Sequence, residues 1–164
     1  MSITMKKFIL YFIIFIAGLI VQFSWVRYVS PGGFSPNFLL VCLIYIGLMR
    51  GPLEGQLMGF AWGLSWDAMS TEMFGCHAFL FTCMGYLTGV LSRKWDESKV
   101  SAQMSLAFIA SLFFLLGMKV IYSIFGAGEF VYSYNYLTGV QLLFNVILAP
   151  VVFWIGKRVI NLLD

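Results

Sequence analysis

Apolar residues run along this chain in six blocks, each separated from the next by charges, glycines or prolines. The blocks fall at about 8–26, 36–49, 52–69, 74–91, 104–125 and 137–155. A helix crossing a bilayer needs about 20 predominantly apolar residues, and five of the blocks come close to that. The second, NFLLVCLIYIGLM, is short. A short span either thins the bilayer locally or is buried among its neighbours. The pattern predicts an all-α membrane protein, a bundle of six transmembrane helices.

Composition agrees with the pattern. Of the 164 residues 61% are hydrophobic and only 10% charged, where a soluble domain has about 45–50% and about 25%. The whole chain, 1–164, reads as a single integral membrane domain. Its N-terminal stretch carries Lys6 and Lys7 before an apolar run. That run is longer than the ~7–15 residues of a signal-peptide core and has no clear small-residue cleavage site, so it reads as a retained first span.

Charge placement decides the number of spans. With six, Lys6, Lys7, Arg50, Arg93, Lys94, Lys99, Lys157 and Arg158 share one side, and Arg27, Glu72 and Glu129 the other. Without the second span, Arg93, Lys94 and Lys99 would lie opposite Lys6 and Lys7, against the positive-inside tendency. Both termini are therefore expected in the cytoplasm.

The third block holds the chain's most regular feature. Gly51, Gly55, Gly59 and Gly63 recur every fourth residue, and the next step of four reaches Asp67. At about 3.6 residues per turn they form a slowly winding stripe without side chains, against which another helix can pack backbone to backbone. Gly85 and Gly89 give the fourth helix a shorter stripe, making the third and fourth helices natural neighbours. The stripe suits internal packing or the docking of a partner, and internal packing is preferred on the expectation that the third helix is central. Arg50, Gly51 and Pro52 form a tight turn between helices two and three. Glycine can end one helix at positive φ, and proline is well placed to open the next.

Asp67, Lys119 and His77 fall at membrane depth, and Gln22, Gln103, Gln141 and Asn145 are scattered polar residues suited to interhelical bonds. Asp67 stands about 22 Å along the third helix from Pro52, toward the external end, and Lys119 is expected at a similar depth in the fifth. Each is costly alone in lipid and is expected to face the bundle interior or pair; the sequence leaves open whether they pair with one another. His77 follows a glycine near the start of the fourth helix. With no further ligands spaced nearby, it reads as bonding a cap or a neighbouring carboxylate rather than a metal. Cys42, Cys76 and Cys83 lie in apolar sequence without a CxxC and read as packing residues. No nucleophile with a base, carboxylate pair, phosphate loop or basic–aromatic patch for nucleic acid is present. The pattern calls for no metal and no cofactor, and argues against an enzyme.

The run from Pro36 to Gly89 resembles the MreD family of bacterial rod shape-determining membrane proteins. The matching features are Pro36–Asn37 before an apolar helix, the Arg50–Gly51–Pro52 turn, the spaced glycines, Asp67, Gly75-x-His77 and Gly85-Tyr-Leu-x-Gly89. The resemblance implies a non-enzymatic scaffold of the cell-elongation machinery for peptidoglycan synthesis, in the bacterial inner membrane. Its implied partners are an MreC-like bitopic protein, with MreB, RodA and its transpeptidase in the same complex. It also implies a fold similar to the substrate-binding S component of ECF vitamin transporters. That offers an alternative function in uptake, with a pocket near Trp66, Glu72, His77 and Tyr132. Against the alternative, Ala17 in the first helix is followed four later by Val21, not by a second small residue. The sequence leaves a homodimer and bound membrane lipid open.

Overall fold

The computed structural model describes residues 3–29, 36–70, 73–92, 94, 95, 99–125 and 136–160. Glu72, Arg93, Glu129 and Tyr132 lie outside the described residues. Among the described residues the regular structure is helical: α1 (Ile3–Val29), α2 (Phe38–Arg50), α3 (Pro52–Met69), α4 (Cys76–Leu91), α5 (Val100–Phe125) and α6 (Tyr136–Ile160). Of these, α1, α5 and α6 are long and apolar enough to cross a membrane.

The short helix is the hub. α2 packs against each of the other five helices, and nine of its 13 residues are buried. Leu39, Leu40, Val41, Leu43 and Ile44 are fully enclosed. At 1.5 Å per residue α2 is about 20 Å long, well under a hydrocarbon core of about 30 Å. The expectation that the third helix is central is thereby corrected: α3 packs on α4, α2 and α1 only.

Two other helices hold the N-terminus of α2, and a third braces one of them. A helix leaves its first N–H groups without partners of its own. Here the Asn37 side chain caps Leu40 N–H at 3.0 Å. From α1, the Gln22 side-chain oxygen accepts from Phe38 N–H at 2.7 Å, and its amide nitrogen donates to the Pro36 carbonyl at 3.1 Å. From α6, Asn145 Oδ1 accepts from Asn37 N–H at 2.8 Å, while its Nδ2 donates to Ser111 Oγ of α5 at 3.0 Å. Gln22 and Asn145 are buried polar residues on otherwise apolar helices, the arrangement in which interhelical bonds locate membrane helices.

α1 is attached along one stripe, formed by Tyr11, Phe15, Gly18 and Gln22. Tyr11 Oη donates to Glu54 in the first turn of α3, and Trp62 Nε1 donates to the Phe15 carbonyl at 3.1 Å. Gly18 lets the Trp62 ring lie against the α1 backbone; a Cβ there would come within 2.9 Å of it. The opposite face, with Phe8, Phe12, Ile13 and Ile20, stays exposed. These contacts run α1 and α3 in one direction and α2 against them.

Asn145→Ala should lower stability by about 1–3 kcal/mol, because the buried Asn37 N–H loses its acceptor. Unfolding in mixed micelles would measure this; an unchanged midpoint would show that the bond to α6 does not hold α2.

Candidate functional site

The α3–α4 hairpin gathers most of the residues that stand out in the sequence. The two helices pack antiparallel with almost no side chain between them. A Cβ on Gly55 would lie 2.5 Å from the Gly85 carbonyl oxygen, one on Gly59 2.4 Å from the Phe81 carbonyl oxygen, and one on Gly63 2.4 Å from the Ala78 Cα. From the other side, a Cβ on Gly85 would meet the Gly55 carbonyl oxygen at 2.2 Å, and one on Gly89 the Pro52 Cα at 2.3 Å. Each step of four along α3 meets a step of about four back along α4, so the two stripes mesh in register. None of these five positions has room for a methyl group without backbone movement.

Gly47 completes the seam and was not singled out in the sequence. A Cβ there would lie 3.0 Å from the Gly85 carbonyl oxygen and 2.2 Å from Thr88 Oγ1. It stands four residues before Gly51, so the every-fourth series extends backward across the turn into α2. That extension was the available signal. Thr88 fits the crowded site because its hydroxyl turns back to its own helix, donating to the Met84 carbonyl at 2.8 Å.

Gly51 has a different role. Nothing lies within 4 Å of the position its Cβ would take, but its φ of 92° suits glycine alone. Its N–H donates to the Gly47 carbonyl at 2.9 Å, closing α2, and Pro52 begins α3 directly after it. Arg50, in the last turn of α2, is half-buried.

The far end of the seam is tied by Asp67. Its carboxylate is buried in the last turn of α3 and accepts from the start of α4. Oδ2 takes Gly75 N–H at 3.0 Å and Ala78 N–H at 2.9 Å; Oδ1 takes His77 N–H at 3.1 Å and lies 2.9 Å from His77 Nδ1. α4 has no cap of its own, since Gly75 occupies that position with φ 97°. Asp67 supplies the cap from the preceding helix, with its negative charge at the positive end of the α4 dipole. His77 is also buried, stacked on Trp66 at 5.4 Å between ring centroids and bordered by Phe81 and Phe114. The pair therefore sits in an aromatic box, with no open face toward a substrate.

Lys119 does not join this group. Asp67 is bonded entirely by α4, and the Lys119 side chain is exposed on α5. It comes two residues after Gly117, which packs against Leu80 of α4. Among the described residues no three of His, Cys, Asp and Glu are grouped to hold a metal. The three cysteines are free thiols. What the hairpin can do chemically is fix two helices as one rigid piece.

Gly59→Ala should destabilise the protein by more than 2 kcal/mol, since the methyl group meets a backbone carbonyl. Gly139→Ala in α6, where the new Cβ meets nothing within 4 Å, should be neutral or stabilising by up to about 1 kcal/mol. Paired unfolding curves in detergent would test the contrast; equal effects would show that close approach is not what these glycines provide.

The family model described as rod shape-determining protein MreD matches residues 2–159 of the chain. No curated protein and no solved structure matches it.

Proposed function

This chain belongs to the MreD family of rod shape-determining membrane proteins, and on that premise we propose that it is a non-enzymatic scaffold of the cell-elongation complex. In this reading it binds an MreC-like bitopic protein in the bacterial inner membrane, alongside MreB, RodA and its transpeptidase. The observation that carries the reading is the family match over 2–159. A second supports it: Asp67 and His77, the buried ionisable pair of the hairpin, hold α4 in place. The glycine seam is filled by α4 itself, so the partner docks on another surface. The S-component reading, including its fold likeness, has no observation in its favour.

In the same proposal all six helices span the bilayer, with both chain ends in the cytoplasm. The arrangement of the helices supports this. Arg50 closes α2 and Lys157 and Arg158 lie in the last turn of α6, at the end of the bundle where α1 and α3 begin. Arg27, near the end of α1, is at the opposite end with Asp67. The basic end is the cytoplasmic one by the positive-inside tendency.

Purification of the tagged protein in gentle detergent, followed by native mass spectrometry, should recover an MreC-like protein. Recovery of a vitamin-sized ligand, or of an ATPase with a large coupling membrane protein, would overturn the scaffold. For the topology, a fluorescent protein that matures only in the cytoplasm should glow when fused after Asp164 and stay dark when fused after Glu72. The opposite pattern would invert the orientation.

A further inference from the structure

An apolar groove with a single basic side chain in its wall runs between α1, α2 and α6. Its cavity volume is about 200 Å³ and it is partly open to the surroundings; its lining includes Tyr11, Ala17, Cys42, Val152 and Gly156, with Arg50 at one end. Trp62 of α3 forms part of the wall. Along α2 the lining extends from Phe38 to Arg50, about 18 Å at the rise of an α-helix. That is close to the ~15 Å hydrocarbon depth of a single leaflet, half of a ~30 Å core. The groove therefore has the length of one acyl chain, and it is apolar except at the end where a headgroup would lie.

That end is cationic. Arg50 contributes its guanidinium, whose fork of N–H donors matches phosphate oxygens. Lys157 and Arg158 lie in the last turn of α6, next to the lining residue Gly156. Arg158 sits over the exposed Trp154 ring at 4.1 Å, an arrangement suited to the membrane interface. The one acidic residue nearby among the described residues is Glu54, which accepts the Tyr11 hydroxyl. Among the described residues positive charge thus exceeds negative there, and basic pockets between helices on the cytoplasmic side favour anionic headgroups.

We propose that this groove binds one anionic phospholipid of the cytoplasmic leaflet, with an acyl chain along α2 and the phosphate held by Arg50. A zwitterionic lipid would bring a cation of its own into a cationic site. The site lies on the opposite side of α2 from the glycine seam, which contacts Gly47, so lipid binding and hairpin packing can be varied separately.

The test uses the delipidated full chain in detergent, titrated with phosphatidylglycerol or phosphatidylcholine of identical acyl chains and read by native mass spectrometry. The expected result is one retained lipid, with phosphatidylglycerol held about ten-fold more tightly. Arg50→Gln should reduce that preference to about two-fold or less. Ala17→Phe, which fills the groove and leaves the charges in place, should weaken both lipids. Equal affinity of the wild-type chain for the two lipids would overturn the proposal, as would a headgroup preference that survives Arg50→Gln. Undiminished binding by Ala17→Phe, or displacement of phosphatidylglycerol by an equimolar isoprenoid pyrophosphate, would do the same. If Arg50→Gln does not fold, the wild-type comparison and Ala17→Phe still decide. No partner protein enters the measurement, so its failure is separate from failure of the scaffold reading.

Discussion

α3 and α4 approach one another backbone to backbone, and that contact fixes the hairpin on which the hub helix α2 rests. In lipid there is no hydrophobic gain from bringing two apolar helices together. What remains is dispersion, which needs close contact over many atoms, and hydrogen bonding. Glycines at 55, 59 and 63 facing 85 and 89 supply the first; Asp67 on the α4 N-terminus supplies the second. With Gly47 in the same seam, α2 is drawn in as well, and the remaining helices then close over α2.

Much of this was legible in the sequence because it depends on spacing. The six helices follow from apolar blocks cut by charge, and the turn at Gly51–Pro52 from two residues with restricted backbone roles. The seam follows from a four-residue glycine period, and its partner stripe from Gly85 and Gly89. His77 beside a carboxylate was also readable, from a histidine at a helix start with no further ligands.

What the sequence did not reveal depends on distance between helices. Asp67 and Lys119 invite one another on charge and depth, yet Asp67 is ten residues from His77 and meets α4 before α5 can compete. Nothing local marks Asn145 as the acceptor for Asn37, 108 positions earlier. Gln22 stands out as a polar residue fit for an interhelical bond, but nothing marks Pro36 and Phe38 as its partners. The centrality of α2 was hidden for the same reason. A short apolar run looks like a weak span, whereas nine of its 13 residues are buried among the other five helices.

That enclosure has a consequence for how the chain is made. Four of the five helices that surround α2 follow it in the sequence, so a ribosome releases the hub long before its walls. During synthesis α2 has only α1 behind it, and at 13 residues it is too short to span comfortably by itself. The acceptor for its Asn37 N–H emerges 108 residues later. The bonds that hold the N-terminus of α2 are therefore complete only once α6, the last helix, has joined the bundle.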